Sequence, residues 1–161
     1  MTPLDWALLP LKRYANFRGR APRAEYWWFY LGTLILSVIV GAFDRLLGTN
    51  DALASLVNLA LLLPWIAVTV RRLHDTDRSG WWLLGLGGAV IALITAFAGF
   101  GLFGFGGSAA TAFTSTIVAL LIVGAAGITF LIFMVLPGTE GPNRYGPDPY
   151  SGHDELEEVF A

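Results

Sequence analysis

Between Arg78 and Glu140 the chain carries no Asp, Glu, Lys or Arg, an uninterrupted run of 61 residues. A soluble fold of this length needs charge on its water-facing surface and cannot hide such a stretch. A bilayer accommodates it as two helical spans of roughly 20 apolar residues joined by a turn. The chain is therefore read as an integral membrane protein. Its 55% hydrophobic and 14% charged composition sits on the same side of the soluble average. At 161 residues it is a one-domain object. The absence of cysteine excludes disulfides, thiolate metal sites and cysteine nucleophiles.

Four apolar segments stand out, at 26–43, 52–70, 81–100 and 112–136. Each must be helical, because an unpaired backbone group in lipid costs several kcal/mol and no alternating strand pattern is present. The fold class expected is all-α, an integral membrane four-helix bundle forming a single domain over 1–150, followed by an acidic cytoplasmic tail at 151–161. Lys12, Arg13, Arg18, Arg20 and Arg23 precede the first segment, Arg71, Arg72 and Arg78 lie between the second and third, and Arg144 follows the fourth. Arg45 alone lies on the other side, a split of nine against one. Positive charge in short loops marks the cytoplasmic face, so both termini are expected in the cytoplasm. The first apolar run follows scattered charges and precedes further spans, so it reads as a retained anchor and not a signal peptide. Trp27, Trp28, Trp81 and Trp82 fall at the predicted inner interface, where indoles anchor. Pro64 lies inside the second segment and leaves a carbonyl that a neighbour must satisfy. Gly85 with Ala89, and Gly124 with Gly127, give faces suited to close helix approach. The stretch Gly99–Gly107, GFGLFGFGG, lacks the preceding strand of a phosphate loop and reads as an outer turn.

Three polar segments are brought by this topology to one face: NFRGRAPRAEYW at Asn16–Trp27, RRLHDTDRSGWW at Arg71–Trp82, and GTEGPNRYGPDP at Gly138–Pro149. The ordered pattern F-x-G-R-x-x-R-x-E-Y-W, R-R-L-H-D-x-x-R-S-G-W-W, G-x-N-R-Y-G-P-D-P resembles the domain-of-unknown-function family 805, small bacterial inner-membrane proteins. The resemblance implies a compact four-helix domain in the cytoplasmic membrane and carries no catalytic residue. Asp77 departs from the pattern, which more often has Gly there.

Arginine beside a span is expected from topology alone, and its long side chain reaches the headgroups. Topology does not ask for Glu25, Asp75, Asp77 and Asp148 among the arginines, since acids contribute little to orientation. An Arg–carboxylate network is therefore expected to tie the three segments into a cytoplasmic cap, drawn from Arg20, Arg23, Glu25, Arg71, Arg72, His74, Asp75, Arg78, Asn143 and Arg144. Arg71 and Asp75 are four apart and suited to pairing on a helix, and His74 and Arg78 have the same spacing around an intervening anion. Tyr145 is placed to dock the Gly/Pro-rich tail. Arginines left over would seat a phosphate, from an anionic lipid headgroup or a soluble ligand.

Other chemistry is disfavoured. His74, Asp75 and Asp77 are a poor ligand set, so no metal and no cofactor are expected. Ser79, Ser108, Ser115 and Ser151 lack a paired base, so the chain is not expected to be an enzyme. No segment carries a charged residue or His near its middle, which argues against proton-coupled transport. Asn58, Thr69, Ser37 and Thr129 are expected to bond between helices. The basic residues hug the membrane among acids, which disfavours nucleic acid. The expected function is a non-enzymatic interaction or adaptor module whose Arg-rich cap binds anionic lipid or a partner protein. The alternative is an oligomeric transporter or channel for a small solute, packed through the Gly/Ala faces.

Overall fold

The computed structural model describes residues 1–103 and 109–150, with the side chains at 92, 96–103, 109–112 and 115 outside the description. Among the described residues five helices follow in order: α1 (Pro3–Lys12), α2 (Arg23–Leu47), α3 (Ala52–Asp75), α4 (Trp81–Phe103) and α5 (Ala109–Val135). They divide between two compact units. One contains Met1–Ser79 together with the segment from Pro137, and the other is Gly80–Leu136. Among the described residues three helices are long and apolar enough to cross a membrane: Arg23–Leu47, Ala52–Asp75 and the Thr116–Val135 part of α5. In α4 the described apolar stretch is Trp81–Thr95, the side chains beyond it lying outside the description. The outer turn expected at 101–111 is narrowed by α4 and α5, and its centre, 104–108, lies outside the described residues, as does the acidic tail 151–161.

The helices overrun the apolar windows. α2 starts at Arg23, and α3 continues through Arg71–Asp75, a stretch that hydropathy assigns to a loop. The charges of these added turns face one another and not lipid, so the helices have no reason to stop where apolarity does.

The short α1 escapes a hydropathy window altogether. It is started by a capping box: the Thr2 hydroxyl accepts the Asp5 amide (3.2 Å) and the Asp5 carboxylate accepts the Thr2 amide (2.8 Å), with Pro3 at the first position. It packs on α2 and touches α3. Ala7 Cβ lies 3.7 Å from where a Cβ on Gly32 would stand, an ordinary van der Waals contact between α1 and α2.

Two connections hold α3. Asp44, buried near the end of α2, accepts the amides of Leu53 (3.1 Å) and Ala54 (2.8 Å) and the Thr49 hydroxyl. It caps α3 from another helix, because Asp51 at the cap position itself is left-handed (φ 61°) and makes no capping bond. In mid-helix, Pro64 has no amide hydrogen to give the Ala60 carbonyl, and the Tyr14 hydroxyl donates to that carbonyl instead. The sequence implied the vacancy; Tyr14 fills it.

The apolar core of this unit gathers where α2 begins and α3 ends, with Ala21, Tyr26, Phe29, Ala67, Val68 and Leu73 buried. Farther along, Leu34, Ile35, Val38, Leu56 and Leu59 stand exposed, as lipid-facing side chains do. In the second unit α4 and α5 pack together, and Trp82 meets Phe133 edge-on at 5.2 Å.

Candidate functional site

The last turn of α3 ends in carbonyls with no helical donor. The tail supplies donors. Thr139 gives its amide (2.8 Å) and its hydroxyl (3.2 Å) to the Asp75 carbonyl. Asn143 Nδ2 donates to the His74 carbonyl and to Thr139 Oγ1, both at 2.9 Å. Arg144 Nη2 donates to the Asp77 carbonyl (2.8 Å), while its Nε lies 3.0 Å from Asp77 Oδ1. The turn that makes this possible is pinned by backbone bonds exchanged between Asn143 and Gly146 (3.0 and 3.1 Å). It lays Tyr145 flat on His74, with centroids 3.9 Å apart and rings within 4° of parallel. Arg144 covers the Tyr145 ring at 4.9 Å.

Asp75 is the centre. Arg20 Nε donates to its Oδ1 (2.9 Å), and Arg72 Nη1 donates to its Oδ2. The other Arg20 nitrogens reach the tail, Nη1 to the Gly141 carbonyl (2.6 Å) and Nη2 to that of Thr139. One planar guanidinium thus joins all three polar segments, a task its fixed fork suits and an ammonium does not. The N-terminal segment is also held by its backbone: the Ala21 amide donates to the Arg71 carbonyl (3.0 Å), and His74 Nδ1–H donates to that of Gly19 (3.2 Å).

A second buried pair lies alongside. Arg71 Nη1 is 2.8 Å from Glu25 Oε1, with Arg13 at 3.9 Å from Oε2. The α3 pairing expected across four residues, Arg71 with Asp75, is replaced by Arg72 with Asp75 across three, because Arg71 faces Glu25 on α2. His74 and Arg78 each have a backbone partner, Gly19 and Thr76 (3.1 Å from Arg78 Nη1). Arg23 lines a small cavity of about 160 Å3 with Arg20, Asp75, Asp148 and Tyr150. Burial there pushes the Tyr150 phenol above its usual range, and Asp75 adds to the shift.

Arg20, Arg71, Arg72 and Arg144 are all engaged by carboxylates, and the first three are buried. Lys12 and Arg18 are exposed and Arg13 half-exposed. Of the four indoles, Trp27 is half-buried between Tyr26 (5.4 Å) and Tyr30 (5.9 Å), whereas Trp28, Trp81 and Trp82 are exposed. Sequence reasoning did not single out Thr139, Gly138 or Tyr14. Pro64 was the signal for Tyr14; nothing local marks Thr139, whose partners come from a distant helix end.

The E. coli (strain K12) inner membrane protein YhaH is 36% identical over 151 residues, covering 91% of this chain and 97% of that protein. Inner membrane protein YhaI of the same strain is 35% identical over 150 residues, covering 92% and 98%. The uncharacterized protein YiiR is 32% identical over 138 residues, covering 83% and 85%. No solved structure matches the chain. Residues 14–147, which contain all three interlocked segments, match the family described as protein of unknown function (DUF805), and the chain belongs to that family.

Proposed function

We propose that this chain is a non-enzymatic interaction module of the bacterial inner membrane, with four spans and both termini in the cytoplasm, whose cap surface engages anionic lipid or an acidic partner protein. The membrane assignment is supported by the names of YhaH and YhaI and by the apolar helices. The observation that carries the functional reading is the sorting of the basic residues. Arg20, Arg71 and Arg72 are buried and paired with acids within the cap, whereas Lys12 and Arg18 are among the cations turned outward. They stand at the C-terminal end of an α1 whose Leu4, Leu8 and Leu11 are exposed at helical spacing, the pattern of a helix that rests on a charged membrane surface.

The test is lipid retention by the protein reconstituted in equal phosphatidylglycerol and phosphatidylcholine. The parent is expected to enrich phosphatidylglycerol, and a Lys12→Gln/Arg18→Gln variant to lose the enrichment while keeping its helical signal. An Arg144→Gln variant, altered where the side chain already pairs with Asp77, is expected to keep it. Equal retention by the parent and the double variant would sink the reading.

The oligomeric conduit has one observation in its favour, a groove of about 260 Å3 lined by Tyr30, Thr33, Ser37 and Asn58 on α2 and α3. The Thr33 and Ser37 hydroxyls bond to carbonyls of their own helix, which weakens it as a path. Solute flux in liposomes tests it directly.

A further inference from the structure

Beside Glu25 lies a cavity of about 550 Å3, contained within the unit that carries α1–α3 and the tail. Its volume suits a small organic group. Trp6 and Leu9 of α1 give it an apolar wall; Arg13, Arg20, Glu25 and Asp148 give it charge.

Glu25 is the anomaly in that wall. The residue is fully buried, yet among the described residues neither of its oxygens accepts a hydrogen bond, and no side-chain nitrogen of Arg71 donates one. The two groups are 2.8 Å apart but not aligned for a bond. Removing two charges from water without hydrogen bonds is among the costliest arrangements in a protein. The carboxylate therefore calls for N–H donors. Arg13, half-exposed and 3.9 Å from Oε2, is a neighbour able to swing aside.

The wall also selects by charge. A simple anion near Arg13 would face Glu25 and Asp148, and a simple cation near Glu25 would face Arg13 and Arg20. A zwitterion satisfies both. The apolar wall adds that it be amphiphilic. The first turn of α2, next to Trp27 and Trp28, sets it at the level where indoles mark the polar edge of a bilayer.

We propose that this cavity is a headgroup site for a phospholipid bearing a primary ammonium, of the phosphatidylethanolamine type. Its phosphate lies on Arg13, its ammonium on Glu25 with Asp148 nearby, and its glycerol end against Trp6 and Leu9. The ammonium gives Glu25 the donors that the protein withholds. A choline headgroup has no N–H and leaves Glu25 as it was, so the site separates two lipids of equal net charge. This goes beyond the basic surface formed by Lys12 and Arg18, which responds to net negative charge, and the two fail in different measurements.

The full-length protein is reconstituted in equal phosphatidylethanolamine, phosphatidylcholine and phosphatidylglycerol, extracted gently and weighed by native mass spectrometry. The expected result is one phosphatidylethanolamine per chain, preferred about tenfold over phosphatidylcholine. The preference falls in Trp6→Ala and Arg13→Gln, neither of which bonds to Asp75, and in Glu25→Gln. Equal retention of phosphatidylethanolamine and phosphatidylcholine by the parent, a comparison that needs no variant, overturns the proposal and leaves Glu25 to internal water. Folded Trp6→Ala and Arg13→Gln variants that keep the parent's preference also overturn it. A Lys12→Gln/Arg18→Gln variant that loses the phosphatidylethanolamine preference together with its phosphatidylglycerol overturns it too, and assigns the bound lipid to the basic surface.

Discussion

A Cβ on Gly138 would overlap the Asp75 carboxylate, so the tail reaches the end of α3 only because this residue has no side chain. Gly138→Ala is expected to push the tail off and cost about 1–3 kcal/mol, the usual range for an overpacked site. A lower melting temperature, with faster hydrogen exchange at the Thr139 amide, would register it. Asp77 makes the opposite case. Its backbone is left-handed, with φ 55°, a conformation that favours glycine and that aspartate tolerates better than most residues. That gives a physical reason for the glycine of the family pattern at this position. Asp77→Gly relaxes the backbone and removes only a well-exposed ion pair with Arg144, so it is expected to stay within about 0.5 kcal/mol of the parent. Asp77→Val, unable to use this region cheaply, is expected to lose about 1–2 kcal/mol in the same melts.

Among the elements, α3 depends most on borrowed partners. Asp44→Ala removes its cap from across the connection and is expected to cost about 1–2 kcal/mol. Tyr14→Phe leaves the Ala60 carbonyl without its donor, expected to cost about 1–3 kcal/mol by thermal melting in detergent. In a Pro64→Ala background the helix regains its own amide there, so Tyr14→Phe should become nearly silent. The same cost in both backgrounds would place the hydroxyl's role elsewhere. The pair also marks how far sequence can be read. Pro64 announces a vacant carbonyl by itself, but the group that answers it lies 46 residues away. The spacing rule that favoured Arg71 with Asp75 describes neighbours on a single helix. It has no means of knowing that Glu25, on another helix, takes Arg71. The apolar windows found the long helices because hydropathy is contiguous, and missed α1 because its 10 residues are too few to fill such a window.

At the scale of the molecule, the charge-free run made the membrane class legible, since insertion is decided by stretches of sequence and not by contacts. The cap was legible only as a set of residues; its wiring joins positions as far apart as Arg20 and Gly141, 121 residues along the chain. Arg20→Lys keeps the charge but cannot reach three acceptors at once, and is expected to cost about 3 kcal/mol, toward the level of breaking a buried pair. Arg18→Lys, at an exposed position, is the matched control, expected to melt with the parent. The tail's place in the cap has a consequence in time. Synthesis runs from the N-terminus, so α2 and α3 exist well before Thr139, Asn143 and Arg144 emerge. Through that interval Arg20 has Asp75 but not its two tail carbonyls, and the Asp75 carbonyl lacks the amide and hydroxyl of Thr139. A chain broken off before Pro137 therefore keeps an unfinished helix end. The chain shuts behind itself, since the residues that close this end arrive only after both helices they meet.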